Sequence, residues 1–344
     1  MPVFHAFYLK PISGYSSDLR SDTLWGVMIW AAAQLLEQAE LDEVLHQSQD
    51  GGDKGIFVSS MFTAIDKGEN QFERFLPKPL KPVPMAAENW QELGFAEAKE
   101  RLRDKKQARD KANLLESNWQ YEAQQIQGGT ATKETEQVKR KEFVNTHVAI
   151  DRIYKHTLKL NNGGQLFHTP EYRLELKGKS KGGTPVLYFL ATGNTALIRQ
   201  CLRLLRHLGI GGDRSTGKGT FELLHDESIH FPEPADCNAL MSLSLYHPTR
   251  QVLEAIQKLS VEGIRQLNYQ LVRRQGRFGL STPSGSRFMK DANTYFAEGS
   301  CFPLKAIALE KDCWYSGHNH PAAGGEGIPA IQNGHALFVP VKIL

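Results

Sequence analysis

The feature that most constrains the fold is a glycine-rich loop that follows a predicted helix and leads into a predicted strand. The loop starts at Gly209 and reads GIGGDRSTGKGTFE, and the helix before it covers about 194–208. Its middle resembles the start of a phosphate-binding P-loop, but Gly219 stands where that motif needs Ser or Thr to hold magnesium. A P-loop also runs from strand to helix, which is the opposite order. The sequence therefore argues against nucleotide hydrolysis.

The composition of this loop still favours a phosphate group. Glycines allow main-chain N–H groups to approach an anion closely, and basic and hydroxyl side chains add further donors. The alternative is a glycine-rich turn that carries two exposed basic residues. The candidate phosphate-binding residues are Gly209, Gly211, Gly212, Arg214, Ser215, Thr216, Gly217, Lys218 and Gly219.

Charge is segregated along the chain, although the net charge is only +3. Residues 151–220 contain twelve basic and four acidic residues, a net of +8, and residues 265–290 contain six basic residues and no acidic one. Residues 37–53 contain six acidic residues and no basic one. This pattern predicts one face for a polyanion and another for solvent or a protein, unless the local charges average out on the folded surface.

Length and composition predict two packed domains in the cytoplasm. The chain has 344 residues, of which 40% are hydrophobic, and that is too much for one small core. The N-terminal sequence MPVFHAFYLK is typical of a strand rather than a signal peptide, and no apolar stretch predicts a transmembrane helix. The four cysteines form no CxxC pair, so we expect free thiols.

Strand and helix patterns in both halves predict an α+β fold with two ferredoxin-like (RRM-like) domains. The first half begins with a strand over 3–9, a helix capped by Asp22 or Thr23, and a strand over 56–65. Prolines make 75–84 irregular, and PEPADC is the expected boundary. The predicted domains are 1–231, with a helical insertion at about 88–142 and a hairpin at about 146–172, and 237–344.

Five segments in order along the chain resemble the RAMP proteins of CRISPR systems. The closest resemblance is to the subunit that caps the guide RNA in type III-A (Csm) effector complexes. The long charged tract near 95–127 and the tail at 318–329 match none of the family motifs. Besides the glycine-rich loop, the similar segments are SDTLWGVMIWA (21–31), FLPKPL (75–80), VAIDRIYKHTLKLNNGGQLFHTPEY (148–172), and the pair YQLVRRQGRFG (269–279) and AEGSCF (297–302).

The resemblance implies binding without catalysis and without a cofactor. Such a subunit grips the 5′ tag of the guide RNA (crRNA), contacts the guide–target duplex, and joins the large polymerase- or cyclase-like subunit to a backbone RAMP subunit; no membrane is involved. In this chain the glycine-rich loop would wrap the tag, and the hairpin would be a thumb whose apolar tip wedges between bases.

The further candidate contacts each have an ordinary structural alternative. Arg152 and Lys155 lie on the predicted thumb, where a surface ion pair of Arg152 with Asp151 or Glu171 is the alternative. Arg273 and Arg274 can alternate across an edge strand, so that only one faces RNA. A helix N-terminus at Ser21 and Thr23 offers free N–H groups to a phosphate, although an ordinary N-cap is favoured. The candidates outside the loop are Arg152, Lys155, Arg273, Arg274, Gly276, Ser21 and Thr23.

The main rival function is a metal-independent endoribonuclease that processes CRISPR repeats. That chemistry needs a general acid or base near the scissile phosphate, and the sequence gives none of the candidate histidines a recognisable partner. Target cleavage by a metal-bound Asp22 or Asp66 lacks a supporting motif. Cys313, His318 and His320 suggest zinc or an HNH nuclease, but Pro321 and nearby glycines indicate a loop, so we expect no metal. The candidate histidines are His5, His46, His147 and His168.

Overall fold

The computed structural model describes most of the chain apart from its central insertion and a few shorter segments. None of the helices in the described residues is long and apolar enough to cross a membrane. The described residues are 1–80, 113–115, 138–151, 153–157, 159–160, 163–164, 166–176, 182–234, 236–277, 289–307, 314–323 and 329–343.

A seven-stranded antiparallel sheet forms the first half. Its strand order is β11-β1-β10-β3-β4-β5, with β2 also paired to β10. Alternating apolar residues build β1, which pairs with β10 from His5 opposite Ala191 to Leu9 opposite Leu187. The strands are β1 Val3–Pro11, β2 Ile56–Val58, β3 Phe62–Asp66, β4 Phe72–Pro77, β5 Asn113–Leu115, β10 Thr184–Gly193 and β11 Phe221–His230.

Three helices accompany this sheet in the part of the chain that the structure describes. The helix α1 covers Ser21–Leu35, α2 covers Gln38–Asp50 and α3 covers Thr195–Leu208. The helix α3 begins where the side chain of Asn194 accepts a hydrogen bond from Leu197 N at 3.0 Å. It ends at Gly209, whose φ of 81° favours glycine, as the sequence predicts.

A long hairpin projects from the first half. Its strands β6 (Val138–Val148) and β9 (Leu166–Leu176) pair over their full length, from Val138 opposite Leu176 to Val148 opposite Leu166. Two-residue strands β7 (Lys159–Leu160) and β8 (Gly163–Gly164) pair near its tip.

The second half contains a four-stranded sheet of order β15-β12-β19-β16 and two strand pairs, β13-β14 and β17-β18. Two short helices, α4 and α5, connect β12 to β13, and α4 is capped by Thr249. The elements are β12 Ala239–Ser242, α4 Arg250–Gln257, α5 Val261–Gln266, β13 Leu271–Arg274, β14 Asn293–Phe296, β15 Cys301–Pro303, β16 Tyr315–Ser316, β17 His320–Ala323, β18 Pro329–Gln332 and β19 Ala336–Val341.

The two sheets pack face to face, with helices on the outer side of each. Tyr8 and Tyr188 contribute to the core between the sheets, where they meet residues such as Met241 and Val339. The intervening Phe7 instead packs against α1 and α3, because successive side chains of a strand point to opposite faces. Full burial of one such side chain contributes about 1.5–3 kcal/mol.

The two halves are also joined by main-chain and serine hydrogen bonds. Ser60 N donates to Leu243 O at 3.0 Å, and the Ser244 hydroxyl donates to Val58 O at 3.0 Å. Leu245 N donates to the Ser21 hydroxyl at 2.9 Å. The core is therefore continuous across the expected boundary at 231–237, and the division into two domains stays a prediction.

Several predicted elements differ from those observed. The helix α1 begins at Ser21 with Arg20 at the N-cap position, so neither Asp22 nor Thr23 is the cap. The predicted strand 56–65 is two strands, because Ser60 N and Met61 N donate to Leu243 O and Leu19 O rather than to β10. Pro77 ends β4, a position that suits proline.

The tract expected to be helical at about 88–142 contains strand residues. Asn113–Leu115 form β5, and residues 138–142 belong to β6. The remainder, 88–112 and 116–137, lies outside the described residues. The hairpin is correspondingly longer than the predicted 146–172, because the pairing continues to Val138 and Leu176.

Candidate nucleic-acid interface

Several candidate elements meet at residues 12–23, which comprise the connection between β1 and α1 and the first residues of α1 and are hereafter called the hub. Gly14 O accepts a hydrogen bond from Gly219 N at 2.9 Å, which attaches the glycine-rich loop to the hub. Tyr15 and Tyr172 exchange two main-chain hydrogen bonds, of 3.1 and 2.8 Å, which attach the hairpin. Asp22 binds Arg274 of the second half. One short segment thus positions three candidate RNA-binding elements.

The glycine-rich loop is held by its own main chain and by the hub. Ile210 N donates to Gly219 O at 2.9 Å, and Gly212 N donates to the Ser17 hydroxyl at 3.2 Å. Asp213, at φ 56°, precedes a single 3-10 turn over Arg214–Thr216. Many loop amides are therefore occupied by protein acceptors. The exposed residues of the loop are Asp213 and 215–217.

The two basic side chains of the loop point towards the protein. The guanidinium carbon of Arg214 lies 4.9 Å from the ring centroid of Trp30, and burial lowers the pKa of Arg214. Lys218 Nζ lies 3.6 Å from Asp213 Oδ2 and 3.9 Å from Glu171 Oε2. Phosphate binding by Lys218 would therefore compete with these two carboxylates.

Glu171, which the sequence analysis named only as a possible partner of Arg152, is a buried carboxylate beside Lys218 of the loop. It is 8% exposed, and hydrogen bonds from Arg173 and Asn145 surround it. The hydrogen bond from Arg173 is the main cause of its lowered pKa, against which burial acts. Glu171 therefore stays ionised and holds Lys218 and the hairpin together.

The hairpin exposes an unusual amount of apolar surface near its tip. Ile153 is 83% exposed and Tyr154 is 72% exposed. The turn is fixed by Asp151, whose Oδ1 accepts from Ile153 N at 2.8 Å and from Tyr154 N at 3.0 Å. Lys155 is exposed with φ 54°. Arg152, the other basic residue predicted here, lies outside the described residues.

Arg273 and Arg274 alternate across β13, as one interpretation of the sequence allowed. Arg274 Nε and Nη2 each donate to Asp22 at 3.0 Å, whereas Arg273 is exposed. Arg273 is therefore the accessible member of this pair. Gly276 O accepts a hydrogen bond from Lys290 N at 2.9 Å.

Ser21 and Thr23 have structural roles. Ser21 is completely buried, and its hydroxyl accepts a hydrogen bond from Leu245 N at 2.9 Å. Thr23 N donates to Asp22 Oδ1 at 2.7 Å. Because Ser21 is buried, a direct contact between its side chain and a phosphate does not fit the structure.

Three of the four candidate histidines make simple polar contacts, but His5 belongs to a charged cluster that the sequence did not predict. His5 Nε2 lies 2.5 Å from Asp226 Oδ2, and Arg199 forms an ion pair with the same carboxylate. Asp226 is therefore already paired with a permanent cation. The partners of the others are Asp50 for His46, Thr169 for His147 and Thr146 for His168.

The carboxylates considered for metal-dependent cleavage also have protein partners. Asp22 is held by Arg274, and Asp66 Oδ1 accepts a hydrogen bond from Gly68 N at 2.9 Å. The acidic segment 37–53 consists largely of the helix α2, whose acidic side chains lie at the surface.

We expect Asp226→Asn to destabilise the fold in a pH-dependent manner. Hydrogen bonding from Arg199 is the main cause that lowers the pKa of Asp226 to about 2. A lowered carboxyl pKa stabilises the fold above the unfolded value of about 3.9, and this contribution is lost as pH falls towards 2. The variant should lose about 1–2 kcal/mol at pH 7 and progressively less below pH 4.

Thermal unfolding between pH 7 and pH 3 tests this expectation. The matched control is Asp236→Asn, which removes the exposed ion pair with Lys342 and should change stability little at any pH. A pH-independent effect of Asp226→Asn would contradict the assigned charge interaction.

Comparison with known proteins identifies the fold. No protein-family model matches the sequence, and no curated protein matches it. The structure matches Csm4 in crystallised Csm1–Csm4 cassettes over its full length. For the cassette in complex with cA4, the TM-score is 0.58 at 19% identity, covering 100% of this chain and 99% of that chain.

Two further cassette structures give similar values. The complex with pppApA has a TM-score of 0.56 at 19% identity, covering 100% of this chain and 99% of that chain. The complex with AMPPNP has a TM-score of 0.55 at 20% identity, covering 100% and 98%. The chain therefore has the mixed α+β fold of these proteins.

Proposed function

We propose that this chain is a non-catalytic scaffold subunit of a type III-A CRISPR effector complex that binds the 5′ tag of the guide RNA. The observation that carries the proposal is the full-length structural match to Csm4 in Csm1–Csm4 cassettes. The sequence motifs support it independently, because they resemble the same family and follow its order.

The partners in this proposal are a Csm1-like large subunit, a Csm3-like backbone subunit and the guide RNA. The cassette structures contain Csm1 together with Csm4. The acidic surface of α2 is a candidate protein-facing surface, since it is unsuited to RNA.

The architecture in this proposal is two ferredoxin-like domains. The first sheet supports it, since β1, α1, β3, β10, α3 and β11 follow the β-α-β-β-α-β order. The second half offers less support. Both of its described helices lie before β13, and a strand pair, β17-β18, lies between β16 and β19.

Three surfaces would contact nucleic acid. The exposed residues 215–217 of the glycine-rich loop would contact the tag, with Arg214 and Lys218 beside them. Ile153 and Tyr154 give the hairpin an apolar tip of the kind that separates stacked bases. Arg273 presents a cation from the second half.

Reconstitution tests the proposal. Co-expression with a Csm1-like large subunit and a Csm3-like backbone subunit, together with a repeat-containing guide precursor, should yield one complex with guides sharing a uniform 5′ sequence. Omission of this chain should separate the large subunit from the backbone and leave the tag exposed to nuclease. A complete, guide-protected complex that forms without this chain would contradict the proposal.

The processing-nuclease alternative is tested on the purified chain. Incubation with repeat RNA in the presence of a metal chelator should leave the RNA intact, because Arg199 already occupies the carboxylate beside His5. Site-specific cleavage that disappears in His5→Ala would favour the endoribonuclease instead.

A further inference from the structure

A cluster of three histidines lies in the second half, away from the candidate RNA-binding residues. His247 follows β12, His318 lies in the connection between β16 and β17, and His320 is the first residue of β17. The sequence analysis grouped the last two with Cys313, which lies outside the described residues. The fold brings in His247 from 71 positions before His318. With His247, the cluster has three potential metal ligands instead of two.

The three rings are in mutual contact. The distance between ring centroids is 3.5 Å for His247 and His320, 4.4 Å for His318 and His320, and 4.8 Å for His247 and His318. One potential ligand nitrogen from each residue lies within 4.8 Å of the other two. A tetrahedral zinc ion with Zn–N bonds near 2.0–2.1 Å holds its ligand nitrogens roughly 3.3 Å apart, so small side-chain adjustments close the site.

Each histidine contributes a buried nitrogen without a partner. Within the described part of the chain, His247 Nδ1, His318 Nδ1 and His320 Nε2 are buried and have no hydrogen-bond partner. Buried polar atoms are rarely left unpaired, because they have lost their water without compensation.

The main chain around the cluster is closely fitted. His247 N donates to Gly334 O at 2.9 Å, and His318 N donates to His247 O at 3.3 Å. A Cβ atom on Gly334 would lie 2.8 Å from His247 Cβ, so a side chain there would displace the cluster. Asn319 links Gly334 N to Ser48 O through its side chain. The ligand-bearing segments are therefore positioned before any ion binds.

We propose that His247, His318 and His320 bind one divalent transition-metal ion of the zinc class and that this ion clips the β16–β17 connection to the segment after β12. Imidazole nitrogen suits zinc and its neighbours, whereas calcium and magnesium require oxygen ligands. Three protein ligands leave the fourth tetrahedral position to water. The proposal revises the expectation of no metal and does not depend on the proposed function.

Metal analysis of tag-free, full-length protein tests the proposal. After saturation with Zn²⁺ and removal of excess metal, wild-type protein should retain one zinc per chain. The double variant His318→Ala/His320→Ala should bind Zn²⁺ about 100-fold more weakly or worse. The control His207→Asn replaces an exposed histidine on α3 and should retain the wild-type stoichiometry. Equal retention by the double variant and wild type would overturn the proposal.

If the double variant does not fold, Co²⁺ absorption and thermal unfolding of the wild-type protein still test the site. Wild-type protein should develop the visible absorption of tetrahedral Co²⁺ at one equivalent, and Zn²⁺ should abolish it by competition. Zn²⁺ should also raise the unfolding temperature of wild type, but not that of His247→Gln. A wild-type protein with neither a Co²⁺ spectrum nor a Zn²⁺-dependent rise would refute the site.

Discussion

Replacement of Gly219 by alanine should lower the free energy of unfolding by about 3–5 kcal/mol. Gly219 has φ 75°, and an added Cβ would lie 2.8 Å from Ile210 N and nearer still to Ile210 O. Since both contacts are main-chain atoms, the backbone itself must move. That movement would break the hydrogen bonds of Gly219 with Ile210 and Gly14. The loop would separate from the hub.

Gly217→Ala is the matched control for this variant. Gly217 has a similar φ of 82°, but no heavy atom lies within 4 Å of an added Cβ. Its replacement should therefore cost only the backbone strain, about 1–2 kcal/mol. Chemical denaturation followed by tryptophan fluorescence measures both variants. Equal stability of the two would mean that the close approach of Ile210 to Gly219 is not present in solution.

The double variant Arg214→Ala/Lys218→Ala should bind guide RNA about 100-fold more weakly than wild type. Two charge-assisted phosphate contacts would be lost, along with the counterions that they release. On single-stranded RNA the slope of log K against log salt should become shallower by about 1.4. Binding of a 5′-tag oligonucleotide at several salt concentrations, in the assembled complex, gives both numbers.

The control removes the same charge from another surface. Arg250→Ala/Lys258→Ala changes two exposed residues at either end of α4, so it matches the loss of net charge. It should leave affinity and salt slope near their wild-type values. An unchanged affinity in the loop variant, or an equal loss in the control, would show that the loop does not hold the tag.

The sequence predicted those helices and strands whose formation depends on residues within a few positions of one another. The strand at the start of the chain, the helix that follows it, and the helix α3 that ends at Gly209 all appear in the structure. Their periodicity and capping depend on neighbours within a few positions. The glycine-rich loop follows from the same local information.

Contacts between distant residues were not predictable from one sequence. Asp22 and Arg274 are 252 positions apart, and the cluster of His5, Asp226 and Arg199 joins three elements. Nothing in the local composition at any of these positions identifies its partner. The same is true of His247, which only the fold brings next to His318.

The hub has a consequence for affinity that follows from geometry alone. It fixes the separation of the glycine-rich loop from Arg273, because it bonds both to the loop and to the neighbouring Arg274. For a strand that touches both, the second contact forms at an effective concentration set by this fixed span. Two individually weak contacts then bind the strand bivalently, and a change that disturbs the hub would lower the affinity for the strand.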